Sequence, residues 1–70
     1  MNQKLTTPDE ILRAALEKET QAQNFYAGLA ATCSVEFVKE LLLTLEAEEA
    51  KHVHMIRAML DRLGAGKRIV

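Results

Sequence analysis

The sequence predicts an all-α fold, an antiparallel hairpin of two helices that pairs with a second copy of itself into a four-helix bundle. Three observations carry this. Punctuation is scarce, with three glycines and one proline in 70 residues, so most of the chain is free to be regular structure. Hydrophobic residues make up 49% of the chain and aromatics only 4%, and the apolar positions recur at helical spacing with no strand signal. A lone domain of this length buries a modest fraction of its surface and often needs a staple or a partner. The single Cys33 supplies no intrachain disulfide.

The first helix is expected over residues 8–31. Thr7-Pro8-Asp9-Glu10 places a threonine N-cap before a first-turn proline and two early acids, with a glutamate three residues after the cap. This is a capping box that also suits the helix dipole. Thr32-Cys33-Ser34 is the weakest helical stretch, because β-branched and hydroxyl side chains compete with the backbone. Ser34 serves as a second N-cap. The second helix is then expected over residues 35–63, with Arg62 in its last turn and Gly64 ending it, and the tail from Gly64 to Val70 reads as frayed. One continuous helix through Ser34 is the competing reading. No domain boundary, repeat or low-complexity segment divides residues 1–70, which form a single half-domain.

Nine Lys+Arg stand against ten Asp+Glu, for a net charge of -1. No basic excess or stripe is present, so neither nucleic acid nor an anionic membrane surface is an expected partner. Apolar runs such as Leu41 to Leu43 fall far short of the roughly 18 residues of a spanning segment, and the first residues lack a signal-peptide apolar region. A cytoplasmic protein is the expectation. In that compartment one thiol reads as a reduced, inert side chain.

At about 100° per residue, the apolar face of the second helix holds Val38, Leu41, Leu42, Leu45, Val53, Ile56, Met59, Leu60 and Leu63. Glu49 and His52 lie inside that arc. The first helix presents Ile11, Leu12, Ala15, Leu16, Ala22, Tyr26, Leu29 and Ala30, and Glu19 sits in its middle. An unpaired buried carboxylate costs several kcal/mol, so three ionisable groups at seam centres need compensation. A metal ion provides it. Glu49 and His52 are three residues apart, which sets a carboxylate and an imidazole side by side on one helix face. Glu19 lies about 21 Å of helix before the turn, and Glu49 to His52 about 24 to 28 Å after it, so all three sit at similar depth.

Other polar residues read differently. Glu46 and Glu48 are solvated edges, with Glu48 available as an extra or mobile ligand. His54 belongs to the outer face, Met55 and Met59 to the core, and Gln23 to a supporting hydrogen-bond role beside Glu19.

One Glu followed by one Glu-x-x-His is half of a two-metal carboxylate site, in which a Glu comes from each of two helices and a Glu-x-x-His from each of the other two. A two-fold partner completes both the ligand set and the apolar core. The segments Glu19-Thr20-Gln21-Ala22-Gln23-Asn24-Phe25-Tyr26 and Leu45-Glu46-Ala47-Glu48-Glu49-Ala50-Lys51-His52 resemble the ligand motifs of the rubrerythrin branch of the ferritin-like superfamily, over roughly residues 11–60. The resemblance implies that Glu19, Glu49 and His52 are iron ligands. By it Glu19 and His52 are terminal, Glu49 bridges two metals, and Tyr26 is an orienting hydrogen-bond donor to a carboxylate. Rubrerythrins usually carry all four helices in one chain together with a cysteine-ligated iron module, and this sequence has neither. A half-length, ferritin-like member that assembles its site from two chains is the expected architecture.

The function expected is that of a non-haem di-iron protein, oxidising Fe(II) with oxygen or peroxide as a ferroxidase or in peroxide detoxification. The same ligand set admits manganese or zinc. The rival is a non-enzymatic interaction module, a dimerising hairpin whose polar seam residues specify pairing.

Overall fold

The computed structural model describes residues 7–69, with side chains through residue 64. It contains two helices, α1 (Pro8–Thr32) and α2 (Glu36–Ile69), folded back on each other as a hairpin. The continuous-helix alternative is thereby excluded.

The start of α1 follows from its first four residues. Thr7 is extended, with φ -105° and ψ 151°. Its hydroxyl accepts the Glu10 amide at 3.1 Å while Glu10 Oε1 accepts the Thr7 amide at 3.1 Å. Two amides that the first turn leaves unpaired are thus satisfied. Arg13 reaches back one turn to Asp9 at 2.9 Å. The helix stops at Cys33, which is extended (φ -79°, ψ 126°) while its amide still bonds the Ala30 carbonyl at 3.4 Å.

Two expected boundaries of α2 move. The first intrahelical bond runs from the Lys39 amide to the Val35 carbonyl at 2.9 Å. Val35 is therefore the cap, and Ser34 lies one residue outside the position expected of it. Reversing the chain takes three non-helical residues, Cys33 to Val35. At the other end, the predicted stop at Leu63–Gly64 does not occur, and the backbone remains helical through Ile69. No glycine among the described residues adopts a positive φ. A glycine costs a helix about 1 kcal/mol relative to alanine, far less than proline, and no proline follows Gly64 to force an ending. The helical backbone thus runs past the expected end into the tail as far as Ile69, while Val70 and residues 1–6 lie outside the described residues.

The molecule measures 53 × 30 × 12 Å, so its thinnest dimension holds one layer of helices. One layer encloses little. Among the described residues, only Ala30 and Val53 are buried, at 3% and 7% exposure. Each predicted apolar arc divides in two. On α2, Val38, Leu42, Ile56 and Leu60 are half-buried toward α1, whereas Leu41, Met55 and Met59 are exposed. On α1, Leu12 and Leu16 are half-buried, while Ile11, Phe25 and Leu29 are exposed. The core role expected of Met55 and Met59 is thus not met within one chain. The reason is geometric, since a helix pair shares one contact line and these arcs are wider than a single neighbour covers.

Wheel positions place the two uncovered stripes on the same side of the hairpin. Ile11 and Leu29 stand about 100° from the inward line of Leu12 and Ala30, and Leu41 and Met59 about 100° from that of Leu42 and Leu60. The two helices are antiparallel, and the rotations run in opposite senses, so both stripes face the same way. No described helix is long and apolar enough to cross a membrane.

Candidate metal centre

The ligand candidates meet near the middle of the hairpin. Glu19 comes from α1, and Glu49 and His52 come from adjacent turns of α2. His52 Nδ1 lies 2.7 Å from Glu19 Oε1 and 3.2 Å from Glu49 Oε1. One ligand atom from each residue falls within 4.8 Å of the others. This is a separation one cation can span once the side chains turn toward it. Among the described residues, no other group of three or more histidine, cysteine or acidic side chains gathers in this way.

Their environment is graded. Glu49 is 19% exposed, Glu19 31% and His52 48%. On the wheel Glu19 falls between the inward line of Ala30 and the outward line of Leu29, and His52 falls between Leu41 and Leu45. The site therefore opens onto the uncovered apolar side. The hydrogen bond from Glu19, and then that from Glu49, raises the His52 pKa above its ordinary 6.5, outweighing the opposite effect of desolvation. Each carboxylate favours the charged imidazolium. Nδ1–H of the imidazolium donates to both carboxylates, so the three side chains converge on one point.

The other candidates are less closely held. The Tyr26 ring packs edge-on against Phe25, with centroids 5.5 Å apart, and its hydroxyl makes no hydrogen bond among the described residues. It lies two turns, or about 10 Å, toward the turn from Glu19. Gln23 is half-buried and makes no hydrogen bond to Glu19. Glu48 is exposed and meets Lys51 at 3.5 Å, Glu46 is half-buried, and His54 is exposed. Counting along the helices anticipated the meeting of Glu19 with Glu49 and His52. The side to which the cluster opens was not anticipated, although the width of the apolar arcs held that signal.

A two-helix layer thus brings two carboxylates and an imidazole together at mid-height, a group that could hold a metal ion. The rubrerythrin family model matches residues 10–70, which is most of the chain, and the chain belongs to the rubrerythrin family. No curated protein and no solved structure matches it.

Proposed function

We propose that the chain forms a homodimer, or a larger even-numbered assembly of such dimers, whose four-helix bundle holds a non-haem di-iron centre that oxidises Fe(II) with oxygen or peroxide. One observation carries this reading above the others. The Glu19, Glu49 and His52 cluster opens onto the same side that leaves Ile11, Leu29, Leu41 and Met59 exposed. A second copy laid on that side covers the apolar stripes and doubles the ligands to four carboxylates and two imidazoles, the inventory of carboxylate di-iron centres.

The donor set fits the metal. Carboxylate oxygens with imidazole suit iron, and they accommodate manganese or zinc as well. Two adjacent irons, when bound, supply two electrons to one O–O bond, with hard carboxylates favouring the ferric state. The protein's part is preparation. Glu19 and Glu49 would hold the cations through their negative charge, with Glu49 in the shared role that the family resemblance implies. His52 gives up its Nδ1 proton and coordinates through that nitrogen. Tyr26 orients a carboxylate through its hydroxyl, and the paired apolar stripes exclude bulk water. Cytoplasmic ferrous iron is the natural substrate pool.

Native mass measurement combined with metal analysis tests the proposal. The expected result is an iron-loaded dimer with about one iron per chain that shows ferric absorbance on exposure to air. Glu49→Ala or His52→Ala loses the metal and remains a helical dimer. Equal melting temperatures for the apo and iron-loaded protein, with no ferrous oxidation, overturn it in favour of a metal-free pairing module.

A further inference from the structure

The His52 imidazole has two nitrogens, and the structure commits one of them. Its hydrogen bonds among the described residues all run through Nδ1, so Nε2 is directed away from the two carboxylates. Covering this side with a second copy removes Nε2–H from water, and buried donors nearly always have an acceptor. Metal-ligating histidines in particular donate their second N–H to a carboxylate, carbonyl or water, which fixes the ring and raises its basicity.

The candidate acceptor is Glu48. It is exposed, stands about 40° from His52 on the wheel toward the uncovered side, and among the described residues is held by the 3.5 Å contact with Lys51. An exposed pair of that length restrains a side chain weakly.

Symmetry decides which His52 it meets. Glu19 lies about 11 residues from the start of α1 and about 13 from its end, and the Glu49 to His52 pair is similarly central in α2. A two-fold axis perpendicular to the helices at the metal level then lays each helix antiparallel on its own copy along nearly its full length. With the turns at the same end, any ligand level would serve equally well, so the central placement favours turns at opposite ends. Counting 1.5 Å per residue from the metal level then brings Glu48 within about 2 Å, along the bundle axis, of the partner's His52.

We infer that Glu48 of each copy accepts the Nε2–H hydrogen bond of the partner's His52 and so holds that imidazole for coordination through Nδ1. Glu48 is a positioning residue, not a ligand, and the inference rests on the dimeric metal-centre reading above.

The test uses the zinc-loaded full chain with isotope-labelled histidine. The wild-type dimer shows a slowly exchanging Nε2–H resonance assigned to His52 by its absence in a His52→Gln control. Glu48→Ala loses that resonance and binds zinc about 10- to 100-fold more weakly, with the dimer mass unchanged. Glu48→Gln, which still offers a carbonyl oxygen, retains the resonance with a smaller loss of affinity. In a mixed dimer of a labelled wild-type chain and an unlabelled Glu48→Ala chain, the labelled His52 loses the resonance, because its acceptor lies on the other chain. Survival of the resonance in the Glu48→Ala homodimer overturns the inference, and so does its survival in that mixed dimer. A wild-type chain that stays monomeric or binds no zinc fails earlier and overturns the functional proposal itself.

Discussion

Leu41 and Leu43 are two residues apart on α2 and similarly exposed, at 56% and 47%, yet they point to opposite sides of the hairpin. Leu41 lies on the side carrying the Glu19, Glu49 and His52 cluster and Leu43 on the polar side. Truncating each to alanine tests whether the Leu41 side is the dimer surface proposed above. The hairpin alone covers less than half of Leu41, so an isolated hairpin loses about 1 kcal/mol or less from Leu41→Ala. If a second copy buries the side chain, Leu→Ala costs about 2 to 5 kcal/mol at each of two symmetric sites. Taking the lower figure twice gives about 4 kcal/mol, a rise of about a thousandfold in the dimer dissociation constant. Leu43→Ala stays within about 0.5 kcal/mol of wild type in either case. Sedimentation velocity over a concentration series reads the dissociation constant directly, and thermal melts followed by circular dichroism check that the helices persist. Equal dissociation constants for the two variants, or a melt of Leu41→Ala that matches wild type at every concentration, would refute the assignment of this side as the interface.

Two further outcomes follow from the site and from the end of α2. The raised His52 pKa makes protons compete with metal at pH values beginning above 6.5, so metal affinity falls as pH is lowered through that raised pKa. In the apo protein the sign is opposite. The imidazolium pairing with Glu19 and Glu49 contributes stability that is fully present below 6.5 and lost as pH rises through the folded-state value, and His52→Gln abolishes both trends in paired melts at pH 6 and 8. Gly64 is helical, and a methyl group added at its Cα would enter open space, with no atom within 4 Å. Gly64→Ala therefore raises stability by roughly 0.5–1 kcal/mol. A destabilised variant, measured by urea titration, would point instead to the helix end at Gly64 that the sequence suggested.

The readability of this chain varied with the kind of force involved. Local chemistry was transparent. The Thr7 to Glu10 capping box was legible because its two reciprocal hydrogen bonds involve residues three apart, and nothing distant competes with them. Depth along the helices was legible as well, since a fixed rise per residue brings Glu19 level with Glu49 and His52 once the turn is located. Boundaries set by small energies were not. Gly64 was expected to end α2, but one glycine without a following proline is a cost of about 1 kcal/mol that a long helix absorbs. The exposure of Met55 and Met59 was missed for another reason. Their spacing marks them as apolar-face residues, but periodicity does not distinguish a face covered by the same chain from one covered by a second copy.

That ambiguity bears on the chemistry, because the same uncovered side determines both assembly and coordination on the proposed reading. Glu19, Glu49 and His52 hydrogen-bond one another within one hairpin, so on that reading a cation must displace the Nδ1 proton before it binds. On the same reading, binding two metals would displace two such protons and leave each metal in need of ligands from the other copy. Metal binding and dimerisation are then linked equilibria, and each must tighten the other by the same factor. A dimer dissociation constant that is unchanged by saturating metal would mean that the ligands of the two copies do not share a centre, however well the apolar stripes pair.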